Sequence, residues 1–319
     1  MRHATEPRVF ATRRFPDRVH AELERSFEVD LHDSEWPPSR EELLRRAAGR
    51  DGLMTMLTDR IDDELFDAAG PQLRVVANYA VGYDNVDLPA CTRRGVIVSN
   101  TPEVLTAATA ELTLALILAL VRRVAEGDRL IRRRERWIWA PNLMLGRGLA
   151  GLVLGLVGHG RIGRAVAELA RAFGMEVVYT SRTGGIPLAE LLATADVVSL
   201  HLPLSEETRH LIDEPALALM KASVVLVNTS RGPIVDEAAL ARALAEKRIA
   251  GAALDVFERE PEVTEELLAL ENAVLVPHLG SATLETREAM GMLCVEALRA
   301  VLLEGRVPAN ALNPEALRG

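Results

Sequence analysis

The chain has very little cysteine. Cys91 and Cys294 are the only two in 319 residues, and they lie far apart in a sequence that shows no metal-binding or redox spacing around them. We therefore predict no metal site, a reducing cytoplasm as the compartment, and two thiols that serve as small buried apolar side chains.

An excess of positive charge and long apolar runs are also absent. The net charge of −9 argues against a nucleic-acid partner, because such binding depends on neutralising phosphates with Lys and Arg. The longest apolar stretch, 112–121, is far shorter than the roughly 20 residues that a bilayer requires, and no apolar run follows the basic start as in a secretory signal. We predict no membrane partner, a small diffusing substrate, and a buried helix at 112–121.

The length exceeds that of a usual single core, so two domains are expected. Short β-rich runs alternate with amphipathic runs, a pattern typical of parallel sheets flanked by helices. The predicted strands fall into two groups, at 9–12, 28–31, 52–57, 73–80 and 96–99, and then at 152–157, 176–180, 197–200, 224–228, 252–255 and 274–276. Ser39 with Glu42 predicts a capped helix at 41–48, and long helices are expected at 104–123 and 284–303.

A glycine-rich turn directly follows the first strand of the second group and precedes a helix predicted at 164–173. It reads Gly158-His159-Gly160-Arg161-Ile162-Gly163. In this context the first glycine permits a tight turn, the second lets backbone approach a pyrophosphate, and the third lets the helix pack against the strand. The pattern predicts dinucleotide binding, with His159 as a spacer.

The end of the next strand lacks the carboxylate that would bind the ribose 2′-hydroxyl of NAD. Ser181 and Arg182 occupy that place, and an arginine can hold a 2′-phosphate through charge-assisted hydrogen bonds. We predict that NADP(H) is preferred and that NAD(H) is also accepted. The alternative is that Arg182 only covers the adenine. The segment after Arg182 is short and without basic residues, which leaves a thin phosphate site.

Three polar clusters follow the last three strands, at the edge where open α/β sheets bind ligands. They are Asn228-Thr229-Ser230-Arg231-Gly232, Asp255-Val256-Phe257-Glu258-Arg259-Glu260-Pro261 and Pro277-His278-Leu279-Gly280. Reduction of a ketone needs a proton donor, a group that polarises the carbonyl, and a group that tunes the donor. His278, Arg231 and Glu260 have these chemistries.

Together with 78–87 and 100–102, these blocks resemble the D-isomer-specific 2-hydroxyacid dehydrogenase family, particularly its glyoxylate/hydroxypyruvate reductase branch. The resemblance runs from about residue 9 to 296. It implies two doubly wound α/β domains: a flavodoxin-like substrate domain at 1–99 plus 285–319, and an inserted Rossmann domain at 100–284. The chain would cross between the two domains near Asn100 and near Ala282. These crossings would form the hinge about which the cleft between the domains closes.

The resemblance also implies a role for each site residue. Arg231 would hold the substrate carboxylate and carbonyl, His278 would exchange the proton, and Glu260 would orient the imidazole and raise its pKa. Backbone at Val81 and Gly82 would bind the substrate carboxylate. Glu258 is expected to face solvent, and His201 to pack or to bind a ligand. The remaining cofactor residues would be Arg161, Ile162, Pro203, Thr229, Ser230, Asp255 and Gly280. A homodimer built on the helix after Thr106 and the arm near Trp137 and Trp139 is expected, and core packing is an equally good explanation of the two tryptophans.

The arginines at 132–136 have two interpretations, a solvated helix face or a surface for anions or another subunit. Other functions on the same fold also remain open. Formate oxidation needs no proton relay, and its family carries Gln where this chain has Glu260. Another D-2-hydroxyacid substrate, or a nucleotide-sensing scaffold without turnover, would keep much of the same site.

Overall fold

The computed structural model describes residues 6–318, which form two compact units. The first unit comprises the described residues of Met1–Leu105 and Thr283–Gly319, and the second is Thr106–Ala282. The assignment of substrate and cofactor to separate domains remains a prediction.

The first unit contains a parallel five-stranded sheet in the order β2-β1-β3-β4-β5. This is the flavodoxin-like order expected from the sequence. Its strands are β1 Arg8–Ala11, β2 Glu28–Leu31, β3 Gly52–Thr55, β4 Val75–Asn78 and β5 Ile97–Ser99. Its helices are α1 Asp17–Glu24, α2 Arg40–Ala47, α3 Asp63–Ala69 and α4 Leu88–Arg93, with α12 Leu284–Leu302 returning from the C-terminal segment.

Two apolar layers cover the faces of this sheet. On one face, Val19 of α1 and Leu298 of α12 pack with Val9 and Val75 of the strands. On the other face, α2, α3 and α4 cover Phe10 and Leu53. The predicted cap of α2 is confirmed, since the Ser39 hydroxyl accepts the N–H of Glu42 at 3.2 Å. Such a cap stabilises a helix by about 1 kcal/mol.

The second unit contains a seven-stranded sheet in the order β12-β11-β10-β9-β6-β7-β8. Its strands are β6 Val153–Val157, β7 Glu176–Ser181, β8 Gly184–Gly185, β9 Val197–Leu200, β10 Val225–Asn228, β11 Gly251–Leu254 and β12 Ala273–Leu275. The helices are α5 Thr106–Val121, α6 Val124–Arg132, α7 Arg161–Ala172, α8 Leu188–Thr194, α9 Glu214–Ala218, α10 Glu237–Ala245 and α11 Glu265–Leu268. The chain reverses strand order beside β6, as in a Rossmann sheet.

Helices cover both faces of this second sheet as well. α5 and α7 pack on one face through residues such as Ile117 and Val166, and α8 to α10 pack on the other through residues such as Leu191 and Leu240. The predicted class of two doubly wound α/β domains is therefore confirmed.

The structure differs from the sequence predictions in three local details. The helix after the glycine-rich turn begins at Arg161 rather than 164, so Gly163 lies in its first turn. The two-residue strand β8 was not predicted; it pairs antiparallel with β7 because the chain reverses direction in the turn at Arg182 and Thr183. Of the arginines at 132–136, only Arg132 is helical, and Arg133 instead pairs with Glu271 at 2.5 Å.

Within the part of the chain that the structure describes, no helix is both long and apolar enough to cross a bilayer.

Candidate active site

The three residues predicted to be catalytic follow successive strands at one edge of the second sheet. Arg231 follows β10, Glu260 lies in the loop after β11, and His278 follows β12. These strands are parallel, so their carboxyl ends face the same side.

The structure joins His278 to Glu260. The imidazole Nδ1 lies 2.8 Å from Oε2 of Glu260, and Oε1 of the same carboxylate accepts the N–H of Phe257 at 3.0 Å. Because both carboxylate oxygens are held, the carboxylate fixes the plane and the tautomer of the ring, with the proton on Nδ1. The other ring nitrogen, Nε2, is left for proton transfer.

The electrostatics of this pair favour an ionised glutamate. Burial by itself would raise the pKa of Glu260, but it is outweighed by the hydrogen bond and charge of His278, the N–H of Phe257 and the charge of Arg231. The pKa of Glu260 is therefore below its ordinary value. An ionised carboxylate at this position stabilises an imidazolium, which is the form that donates a proton.

The backbone at His278 is held in an uncommon conformation. Its φ is 53°, in the left-handed region that residues other than glycine seldom adopt. Its N–H donates to the carbonyl oxygen of Asp255 at 2.9 Å, and the Asp255 carboxylate accepts the N–H groups of Leu279 and Gly280. Thr109 also donates to the Gly280 carbonyl at 3.0 Å. These bonds offset the cost of the left-handed turn, so the imidazole is presented from a fixed backbone.

Asp255 was predicted to be one of the cofactor-binding residues. The structure gives it a further task, because its buried carboxylate ties β11 to the turn that carries His278. Burial raises the pKa of Asp255, although the two backbone N–H groups act in the opposite direction. Sequence reasoning missed this bracing role, which depends on a contact 25 residues away along the chain.

Arg231 stands on an equally constrained turn. The side-chain amide of Asn228 donates to the Arg231 carbonyl at 2.9 Å, while its oxygen accepts the N–H and the hydroxyl of Ser230. Nη1 of Arg231 donates to the Ser230 carbonyl at 2.8 Å. Asn228 thus positions Arg231, a role that the sequence analysis did not identify.

Gly232 allows the Arg231 turn to meet the Glu260 loop. A Cβ at this position would lie 1.9 Å from the carbonyl carbon and oxygen of Phe257. The turn of Arg231 and the loop of Glu260 therefore pack backbone against backbone, and only glycine fits at the contact.

The glycine-rich turn has the geometry that its sequence predicted. Gly158 has a φ of 101°, and a Cβ there would lie 2.3 Å from the His201 carbonyl oxygen; a Cβ on Gly163 would lie 2.4 Å from the Gly158 carbonyl oxygen. At Gly160, by contrast, no heavy atom lies within 4 Å of the Cβ position. The turn is closed on its inner side and open at Gly160, where α7 begins and its first N–H groups face outward.

One histidine lies within this turn and a second packs beneath it. His159, predicted to be a spacer, stacks on Tyr179 with ring centroids 4.0 Å apart. His201 packs beneath the turn with Nε2 2.9 Å from the Ser199 hydroxyl, and burial lowers its pKa to about 4. The His201 ring thus has a packing role, and a ligand role for it stays a prediction.

The segment predicted to select the cofactor forms the β7–β8 hairpin. The Ser181 hydroxyl donates to the Gly184 carbonyl at 2.9 Å and accepts the N–H of Thr183, so it stabilises the turn. Arg182 is exposed at its tip.

Three other residues predicted to bind the cofactor lie at neighbouring strand ends. Thr229 is buried, with its hydroxyl 3.0 Å from that of Thr113. The Ser230 hydroxyl donates to the Leu200 carbonyl at 3.1 Å, and Pro203 is exposed.

The expectation that Glu258 faces solvent was wrong. Its carboxylate is partly buried and lies 2.7 Å from Nε2 of His210. Its backbone N–H donates to the buried carboxylate of Glu237, which also accepts the N–H of Thr264 at 3.0 Å. Glu237 thus holds both ends of the loop that carries Glu260, and sequence spacing offered no signal for it.

Val81 and Gly82 lie in the first unit, in the loop after β4. Both are partly buried. Their part in substrate binding remains a prediction.

A Rossmann sheet with an open glycine-rich turn, next to a hydrogen-bonded His–Glu pair and an arginine, defines a dinucleotide-dependent oxidoreductase. Comparison with known proteins supports this class. The model for the NAD-binding domain of D-isomer-specific 2-hydroxyacid dehydrogenases matches residues 114–280. A glyoxylate reductase of Korarchaeum cryptofilum is 47% identical, over 98% of this chain and 98% of that protein.

Solved structures agree with this result. The TT0316 protein of Thermus thermophilus has a TM-score of 0.91 and 49% identity, covering 96% of this chain and 99% of that one. An NADPH-dependent glyoxylate/hydroxypyruvate reductase of Sinorhizobium meliloti, solved with NADP and malonate, has a TM-score of 0.82 and 32% identity, covering 97% and 98%. The chain belongs to the D-isomer-specific 2-hydroxyacid dehydrogenase family, and it is an oxidoreductase that uses a nicotinamide dinucleotide.

Proposed function

We propose that this enzyme reduces glyoxylate and hydroxypyruvate to the corresponding 2-hydroxy acids, with Arg231, Glu260 and His278 as its catalytic residues. The observation that carries the proposal is the 2.8 Å contact between His278 and an ionised Glu260. The names of the relatives from K. cryptofilum and S. meliloti support this choice of substrates.

In this mechanism each residue has a separate task. The bound dinucleotide supplies the hydride. Arg231 binds the substrate carboxylate and polarises the carbonyl with its planar guanidinium. As negative charge develops on the carbonyl oxygen, Nε2 of His278 donates its proton, and Glu260 stabilises the imidazolium before transfer. The carboxylate at 260 fits this relay, whereas formate oxidation would have no use for it.

The residues of the second unit fit a dinucleotide. The open backbone at Gly160 and the N-terminus of α7 suit a pyrophosphate. Arg161 and Ile162 continue this surface, and the buried Gly163 lets the first turn of α7 pack against Gly158. We propose that the cofactor extends along the strand ends that present Pro203, Thr229, Ser230, Asp255 and Gly280.

NADP(H) is the proposed preference, with NAD(H) also accepted. The exposed guanidinium of Arg182, at the tip of a hairpin whose turn contains no carboxylate, supports it. Substitution of Arg182→Ala should lower kcat/KM for NADPH by about tenfold or more and leave NADH little changed, since a charge-assisted bond contributes about 1.5–3 kcal/mol. Arg209→Ala, at another exposed arginine, is the matched control. Equal loss with both cofactors would contradict a 2′-phosphate contact.

Steady-state kinetics on glyoxylate, hydroxypyruvate, pyruvate and phenylpyruvate tests the substrate. We expect the first two to have the highest kcat/KM. His278→Ala should lower kcat severely, while Arg231→Ala should raise KM and also lower kcat, because it contacts both the carboxylate and the carbonyl. Cofactor binding without turnover on any of the four acids would instead indicate a nucleotide-sensing scaffold.

A homodimer is proposed from the exposed apolar arm after α6. Trp137, Ile138, Trp139 and Leu145 are 57%, 76%, 81% and 65% exposed. A second copy of the chain would cover such a patch, which is costly to leave in water. Trp139→Ser combined with Ile138→Glu should shift sedimentation toward the monomer, whereas Trp36→Ser, at an isolated tryptophan that is 72% exposed, should not. An unchanged oligomeric state in the arm variant would contradict this interface.

We also propose a cytoplasmic location. Both cysteines are free and buried, and burial raises the pKa of the Cys91 thiol to about 12, so neither thiol is prepared for a disulfide. Cell fractionation tests this location, and recovery of the enzyme in a secreted fraction would contradict it.

A further inference from the structure

Three consecutive peptide groups in the loop after β4 share one unusual arrangement. The carbonyl oxygens of Ala80, Val81 and Gly82 all accept hydrogen bonds. In the part of the chain that the structure describes, the N–H groups of Val81, Gly82 and Tyr83 donate to no protein acceptor. Val81 and Gly82 are partly buried and Tyr83 is exposed, and three successive N–H groups without a protein acceptor suit an anion.

The partners of the carbonyl groups explain this arrangement. Thr101 donates its N–H to Ala80 at 2.9 Å, the Asn100 amide donates to Val81 at 2.8 Å, and the Asn78 amide donates to Gly82 at 3.1 Å. In a trans peptide the carbonyl and the N–H point in opposite directions. Each bond to a carbonyl therefore turns the following N–H away from the protein donor, and polarises it as a stronger donor.

Both asparagines are held in place by further hydrogen bonds, Asn78 through its side chain and Asn100 through its main chain. Asn78 is fully buried, and its oxygen accepts from the Asn85 amide at 3.3 Å, so its NH₂ group must face Gly82. Asn100 is buried and is bonded through its main chain to Asn310, whose side chain donates to the Asn100 carbonyl at 2.6 Å. Because of these bonds, the Asn78 amide cannot turn without breaking a second bond, and the backbone that carries the Asn100 amide is held in place.

We infer that Asn78 and Asn100 are positioning residues that present the N–H groups of Gly82 and Tyr83, with that of Val81, to the carboxylate of the substrate. This inference rests on the proposed function and adds to it. The resemblance assigns backbone at Val81 and Gly82 to the substrate; the side chains that create the donors, and the third donor at Tyr83, come from the hydrogen bonds of this loop.

The test replaces each amide by a carboxylate of the same shape. Asn78→Asp and Asn100→Asp place an acceptor against a carbonyl oxygen, which repels it and releases the following N–H from its orientation. We expect KM for glyoxylate to rise about tenfold in each variant, the scale of a weakened bond to a charged group, with kcat changed much less and KM for NADPH unchanged.

Asn313→Asp is the matched control. Asn313 is buried in the same unit and its amide donates to the Val96 carbonyl at 2.9 Å, but none of its hydrogen bonds reaches the loop. It should lower the melting temperature and leave KM for glyoxylate unchanged. If either aspartate variant fails to fold, Asn78→Ala and Asn100→Ser replace it, and all variants are compared by thermal melting and circular dichroism.

Calorimetric titration of the enzyme–NADPH complex with oxalate measures carboxylate binding without turnover. We expect the Kd of oxalate to rise in the Asn78 and Asn100 variants and not in the Asn313 variant. Folded loop variants with the KM and Kd of the control would overturn the positioning role while leaving the proposed reaction intact. A wild-type enzyme that binds oxalate but reduces no 2-oxo acid would overturn the reaction, and the oxalate series would still decide the role of the loop.

Discussion

Gly232 lies where the turn of Arg231 meets the loop of Glu260, and substitution by alanine should separate the two. The Cβ of alanine would lie 1.9 Å from Phe257 backbone atoms, whereas ordinary contact begins near 3.4 Å. The loops must therefore move apart by about 1.5 Å. The overlapping atoms belong to backbone, so no side-chain rotation can relieve the overlap.

The expected effect is mainly on catalysis. A displacement of about 1 Å in a catalytic group can cost about a hundredfold in rate, which is about 2.7 kcal/mol of transition-state stabilisation. Overpacking of a buried site costs a further 1–3 kcal/mol, roughly, in the free energy of unfolding. Gly232→Ala should therefore lower kcat/KM for glyoxylate by about a hundredfold and also lower the melting temperature.

The assay follows NADPH oxidation spectrophotometrically, with thermal melting of the same sample. Gly148→Ala is the matched control, because no heavy atom lies within 4 Å of its Cβ position. A Gly232→Ala enzyme within about twofold of wild type would show that these loops adjust freely, and a rigid Arg231–Glu260 arrangement would be refuted.

Three further predictions concern carboxylates in the second unit. Glu260→Gln should lower kcat/KM for reduction about tenfold, because a neutral amide stabilises the imidazolium of His278 less than a carboxylate does; a kcat/KM equal to that of the wild type would contradict this. Glu237→Gln should cost about 1–3 kcal/mol in urea unfolding and lower kcat, since the backbone at both ends of the Glu260 loop loses its buried acceptor, whereas Glu265→Gln at an exposed site should change neither. Burial would raise the pKa of Asp196, but a backbone N–H and two cations hold this pKa below its ordinary value of 3.8. The contribution of Asp196 to the free energy of unfolding is therefore present above about pH 3.8, and it is lost as the pH falls through the lower pKa of the folded state. Asp196→Asn should therefore melt lower at neutral pH and lose less on acidification, and a parallel loss in both proteins would contradict the assignment.

Much of the fold could be predicted because local pattern and tertiary structure agree. A buried parallel strand is a short, mostly apolar run, as at 197–200, and the edge strand at 28–31 alternates polar with apolar residues; both formed strands with the predicted bounds. The glycine-rich turn was equally predictable, since Gly158 and Gly163 are required by backbone contacts within a few residues of the motif and by the end of the neighbouring strand β9. The hairpin at β8 was missed because a two-residue strand has no periodicity to detect.

In the candidate site, too, some features could be predicted from the sequence and others could not. Sequence alone identified the residue types at the strand ends: Arg231, Glu260 and His278, because parallel strands bring their carboxyl ends to one edge. Only the tertiary structure decided which groups hold them in place. Asp255, Glu237 and Asn78 act through hydrogen bonds to backbone outside their own strand or helix, and a backbone N–H or carbonyl leaves no trace in the identity of the residue that carries it.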